Sequence, residues 1–135
     1  MKPVVQSRVG EDGTCFRACI ASILELPEDE VKDFDGYREY LQDEQCLDDY
    51  WANVQGFLAE HGLSYRRVPI DSAKPSGYST IEGISPRGGL HACVAYDGKL
   101  VYDPHPQDGT GRGLVEPRYY GLLEKRNRLQ NAGKE

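Results

Sequence analysis

Four cysteines and three histidines are the side chains in this sequence best able to act as nucleophile, base or soft metal ligand near neutral pH. By default a free cysteine is a small buried hydrophobe, so context has to single one out. Cys15 has that context. It follows a turn cluster of Gly10, Asp12 and Gly13, with Thr14 placed to cap a helix that opens at Cys15. The first N–H groups of such a helix lack intrahelical acceptors, and the helix dipole favours an anion there. A thiolate would be stabilised, and an oxyanion formed beside it would meet the same donors. Asp12 opposes this charge and is expected to point into the turn.

A thiolate nucleophile needs a base, and the candidates are His61, His91 and His105. His61 precedes Gly62 at the end of a helix, where a surface histidine complements the dipole. His91 follows Gly88-Gly89 and starts the apolar strand Ala92-Cys93-Val94-Ala95, which puts it at a sheet rim. The Asp97-Gly98 pair predicts a tight hairpin between that strand and Lys99–Tyr102. Pairing Tyr96 with Lys99 sets His91 opposite position 104, so Asp103 falls one residue from direct pairing. A bulge or a longer turn would align the two. Asp103 is then the group that orients His91. Taken singly, these residues read more simply as a buried thiol, a strand-end histidine and a turn aspartate. Taken together, in this order, they meet the geometric logic of a Cys–His–Asp site. His105, between Pro104 and Pro106, reads first as part of a rigid turn and second as a substrate contact beside the cleft. Arg17 reads as solvated, and Trp51 with the tyrosines as packing residues.

The elements that must position these groups follow from periodicity. Phe16, Cys19, Ile20, Ile23 and Leu24 recur at helical spacing, and Pro27 stops the run. A second short helix is expected from Glu28 to Phe34, then loop or weak helix over Asp35–Gln45. A third helix runs from about Leu47 to Glu60, ended by Gly62. Strands follow at Ser64–Ile70, Tyr78–Ile84, His91–Tyr96 and Lys99–Tyr102. Pro104–Gly113 reads as a loop, and Tyr119–Leu123 as a last short element. Helices first and antiparallel strands afterwards predict one α+β domain over 1–125, with 126–135 as a solvated tail.

Composition narrows the function classes. The chain has 135 residues and a formal net charge of −6, which speaks against a nucleic-acid partner. No apolar run has the length of a membrane span, and the first residues lack a signal-peptide core, so a cytoplasmic location is expected. In a reducing compartment the cysteines stay thiols.

The segment Gln6 through Gly13-Thr14-Cys15-Phe16-Arg17-Ala18-Cys19 resembles the nucleophile region of papain-like cysteine peptidases. It is most similar to the bacteriocin-leader peptidase domains of ABC transporters, and to small bacterial and phage proteins with the same Asp-Gly-Thr-Cys-Phe-Arg-Ala-Cys start. His91-Ala92-Cys93-Val94-Ala95-Tyr96 with Val101-Tyr102-Asp103-Pro104 resembles the same family's histidine strand and its Asp-Pro. The likeness covers about a third of the chain. Thr14 and Phe16 stand where the family has Asp and Gly. The resemblance implies a compact papain-like fold with the nucleophile helix packed on an antiparallel sheet. It also implies Cys15 as nucleophile, His91 as base, Asp103 as orienter and Gln6 as an oxyanion donor. A peptidase or amidase working through a thioester, without metal or organic cofactor, is the resulting expectation, with a peptide or protein as substrate. Two alternatives stay open. One is a non-catalytic binding module on the same fold. The other is a zinc protein drawing on Cys15, Cys19, His91, Cys93 and His105, although the tight paired spacing of structural zinc sites is missing.

Overall fold

The computed structural model describes residues 1–7, 14–32, 34, 44–106 and 112–126. The expected turn at Gly10–Gly13, the orientation of Asp12, most of Asp35–Gln45, the middle of the Pro104–Gly113 loop and nearly all of the tail lie outside these residues.

Helix α1 (Cys15–Leu24) leads, followed by a 3-10 turn at Glu28–Glu30 and helix α2 (Glu44–Glu60). Five strands complete the described chain: β1 (Leu63–Pro69), β2 (Tyr78–Ile84), β3 (Leu90–Tyr96), β4 (Lys99–Tyr102) and β5 (Glu116–Lys125). They form one antiparallel sheet in the order β1-β5-β2-β3-β4. The fold class is α+β, as the order of elements predicts.

α1 packs on β3 and β2, and α2 on β1. Phe16, Cys19 and Ile20 of α1 share a core with Tyr50, Val54 and Leu58 of α2 and with Tyr65, Ala92 and Val94 of the sheet. A second, smaller core holds Ile81, Cys93, Ala95 and Tyr120. Ala18 and Ala21 are fully buried, which lets α1 lie close to the strands. The N-terminal arm runs along this helix: Lys2 N–H donates to the Ser22 carbonyl, and Val4 N–H to its Oγ.

Three expectations need correcting. The helix sought over Glu28–Phe34 is a single 3-10 turn, because Val31 is already extended at φ −92, ψ 130 and buried in the core. Its carbonyl accepts a bond from Arg17 Nε at 2.8 Å, and Arg17 also pairs with Glu28 at 3.5 Å, so Arg17 is a structural tie rather than a solvated side chain. The short last element is instead a ten-residue strand, β5, lying between β1 and β2.

Where β5 passes between β1 and β2, Gly121 pairs with Arg67 on one side and Thr80 on the other. A Cβ there would overlap Thr80 Oγ1 and the Tyr65 hydroxyl. That hydroxyl donates to Glu82 Oε2 at 2.6 Å. Gly121→Ala should therefore lose about 1–3 kcal/mol of stability, the usual cost of overpacking. Urea denaturation measures it, and an unchanged midpoint would show that the close approach is not needed.

Candidate active site

Cys15 is the first residue of α1, and the residue after it anchors the helix start. The Phe16 ring lies 5.4 Å from Tyr65, 5.9 Å from Phe34, 6.0 Å from Trp51 and 6.4 Å from Tyr50. With Phe16 sunk among these rings, Cys15 is held half-buried at the lip of a cleft. Thr14 occupies the N-cap position but makes no side-chain cap; its Oγ1 accepts from the Ser7 N–H at 3.1 Å instead. The helical ladder begins with Ala18 N–H donating to the Thr14 carbonyl, so the N–H groups before it stay out of the ladder.

His91, the second residue of β3, is 5% exposed. Its Nε2 lies 2.7 Å from Asp103 Oδ1, and with Asp103 ionised the imidazole N–H donates. Asp103 is held in turn: Oδ1 accepts from the His105 N–H at 2.8 Å, and Oδ2 from the Gly113 N–H at 2.6 Å. Arg112 donates to the Asp103 carbonyl.

The hairpin register differs from the unbroken pairing its turn predicts. Tyr96 pairs with Lys99 and Ala95 with Leu100, but Val94 pairs with Tyr102, so a bulge falls at Val101. Continuing that register sets Asp103 beside Cys93 rather than opposite His91. The bulge changes parity: without it, Asp103 would sit beside Ala92 and face away from His91. With it, Asp103 and His91 are diagonal neighbours on one face.

Burial opposes the charge on His91. The hydrogen bond to Asp103, then those involving Cys15 and Cys93, outweigh it and raise His91 from 6.5 to about 11. Burial likewise opposes the charge on Asp103, but the bonds from His91, Gly113 and His105 hold its carboxyl well below the usual carboxylate range. Each shift has a consequence for stability. The contribution of His91 is complete below pH 6.5 and is lost as pH rises toward its folded value of about 11. That of Asp103 is present above its ordinary value of 3.8 and is lost on acidification below it. The urea midpoint should peak between these limits and fall above pH 6.5, and His91→Ala should flatten the alkaline decline. A decline of equal slope in both proteins would contradict the assignment.

Two thiols, not one, meet the imidazole. Cys93 lies two residues along β3 from His91, on the same face, and is fully buried. Burial pushes its thiol up despite the His91 contact. Cys15 alone of the two reaches the cleft. The period-2 spacing of His91 and Cys93 was legible in the sequence. The Arg112 and Gly113 contacts to Asp103 were not, because they come from across a loop.

Gln6 is 5% exposed and lies outside the residues lining the cleft, with its backbone running past both halves of the site. Its N–H donates to the Pro104 carbonyl at 2.9 Å, next to Asp103, while Ser7 binds Thr14, next to Cys15. His105 is 7% exposed and lies outside the residues lining the cleft. Its ring centroid is 6.2 Å from that of His91, and burial and the Arg87 charge hold it below the ordinary imidazole range.

The cleft encloses about 240 Å³ beside Cys15 and His91, with Trp51, Arg67, Glu82 and Tyr119 in its walls. Trp51 and Tyr119 thus face the cleft as well as pack. Donor atoms of His91, Cys93 and Asp103 lie within 4.8 Å of one another and could hold a metal ion. For Asp103 to serve as a ligand it would have to give up hydrogen bonds from His91, His105 or Gly113. Among the described residues, no helix is long and apolar enough to cross a membrane.

Comparison of this chain with protein-family models, curated proteins and solved structures finds no match.

Proposed function

We propose that this chain is a papain-like cysteine hydrolase, a peptidase or amidase acting on a peptide or protein substrate in the cytoplasm. The observation that carries the reading is the buried 2.7 Å contact between His91 Nε2 and Asp103, on an imidazole that also meets the Cys15 thiol at a helix start. With Nε2 given to Asp103, Nδ1 is left to take the Cys15 proton. The Cys15 sulfur attacks the substrate carbonyl carbon. The oxyanion gathers hydrogen bonds from N–H groups at the start of α1 and from the Gln6 side chain. The C–N bond then breaks, and the amine leaves with the proton from His91. Water, deprotonated by His91, attacks the thioester carbonyl and releases the acid and the free thiol. Asp103 holds the tautomer and the orientation throughout.

An activated ester tests the acyl-enzyme step without knowledge of the natural substrate. Mixing with p-nitrophenyl acetate should give a burst of p-nitrophenolate and an acetyl group on Cys15, located by peptide mass mapping. No burst, or acetylation spread over lysines alone, would contradict the proposal.

A second reading has one observation in its favour, the mutual proximity of His91, Cys93 and Asp103. It makes the chain a zinc protein, and stoichiometric zinc uptake lost in Cys93→Ser would favour it over the hydrolase.

A further inference from the structure

The charged residues lining the cleft, among those described, are His91, Arg67, Glu82 and Arg118. Glu82 is already engaged: its Oε2 accepts from the Tyr65 hydroxyl at 2.6 Å and lies 3.5 Å from Arg67 Nε. Arg67 is fixed as well, with its guanidinium carbon 4.2 Å from the Tyr119 ring centroid and 5.3 Å from that of Trp51. Arg118 differs from both. Its partner Glu116 does not line the cleft, and their 2.6 Å pair is about half exposed, at 48% and 57%. An exposed pair of this kind contributes little and exchanges readily for another carboxylate.

The backbone aims Arg118 into the cleft. β2 and β5 pair Glu82 with Tyr119, but Gly83 with Pro117. Arg118 is therefore the extra residue of a β-bulge, a feature that redirects a side chain and recurs beside active sites. Gly83, across from the bulge, is also the residue that pairs with His91. A Cβ at Gly83 would overlap the Glu116 carbonyl and come 2.8 Å from the Pro117 Cα, so the glycine is what permits this bulge. The register thus carries Arg118 to the strand neighbour of the candidate base, in a protein whose formal net charge is −6.

We infer that the cleft selects substrates that bear a carboxylate close to the scissile bond, with Arg118 as the group that receives it. The inference rests on the hydrolase reading and names its substrate class. The carboxylate comes from an acidic side chain or from a chain terminus. In either case a fork of N–H donors meets it, and Glu116 is displaced to solvent.

The test compares alkylation of Cys15 by iodoacetate, which is anionic, with alkylation by iodoacetamide, its neutral analogue. An imidazolium at His91 favours the anion in any such site, so the decisive quantity is how the rate ratio responds to Arg118. Arg118→Gln should lower the iodoacetate-to-iodoacetamide ratio roughly threefold at low salt, the scale of one screened charge near the sulfur, and Arg118→Lys should restore most of it. Because the ratio is taken within one protein, a general loss of packing does not imitate the effect. Protection of Cys15 by N-acetylglutamate α-amide assigns the carboxylate to a side chain, and protection by N-acetylglutamine assigns it to a terminus. A ratio unmoved by Arg118→Gln overturns the inference while leaving the hydrolase reading intact. A Cys15 inert to both reagents overturns the hydrolase reading, and this inference with it.

Discussion

Cys15→Ala abolishes the p-nitrophenyl acetate burst and any turnover, a loss on the order of 10⁴-fold or more, while the protein stays folded. The size follows from what remains: oxyanion donors and binding contacts still act, but no atom is left to form the thioester. The fold survives because Cys15 is only half-buried and its neighbour Phe16, not Cys15, ties the helix start to the aromatic cluster. Far-UV circular dichroism and the urea midpoint provide the control. Full burst amplitude in the variant would move the nucleophile elsewhere. Cys93 and Cys19 are poor substitutes, since both are fully buried and burial pushes both thiols up.

Asp103→Ala is expected to slow acylation by about 10⁴-fold, the scale seen when a catalytic histidine loses its orienting carboxylate. Unlike Cys15→Ala it should also lower stability, because Asp103 accepts from the ring of His91 and from the N–H groups of His105 and Gly113. Each buried donor left without an acceptor costs about 1–3 kcal/mol. Asp103→Asn separates the two effects. Its amide keeps the size of the carboxylate but sets an NH₂ against either His91, where it holds the ring in the wrong tautomer, or the Gly113 N–H, so the variant should lose activity on the same scale of about 10⁴-fold while keeping more stability than alanine. Acylation rates and urea midpoints of the two variants check this. Equal rates in Asp103→Ala and the parent would show that the carboxylate only ties down the loop.

How legible the site was in the sequence depended on distance along the chain. The hairpin around Asp97-Gly98 brought His91 and Asp103 together from a turn signal alone, because His91 lies on β3 and Asp103 directly follows β4, its partner strand. The register could not be read to the residue. The bulge at Val101 sets parity, and no sequence feature marks it. Thr14 was expected to cap α1, yet its hydroxyl is taken by Ser7, a contact set by the path of the N-terminal arm. β5 was harder. Glu-Pro-Arg-Tyr-Tyr-Gly-Leu-Leu-Glu-Lys carries charges at both ends, and only its middle residues are buried, so its apolar signal covered half of the actual strand. Arg118 shares that fate: its place in the cleft comes from a bulge between β2 and β5, a pairing that local pattern does not reveal.

The most direct test of the Cys–His–Asp account is thiol alkylation across about pH 5 to 9, the range over which an ordinary thiol goes from inert to reactive. Iodoacetamide labelling would be mapped to each cysteine by mass spectrometry, in the parent protein and in His91→Ala. The account predicts that Cys15 labels first and selectively at the acid end, and that this selectivity vanishes without His91. If Cys15 labels no faster than the other cysteines, or with the same pH profile in both proteins, then His91 does not activate it and the proposed site is wrong.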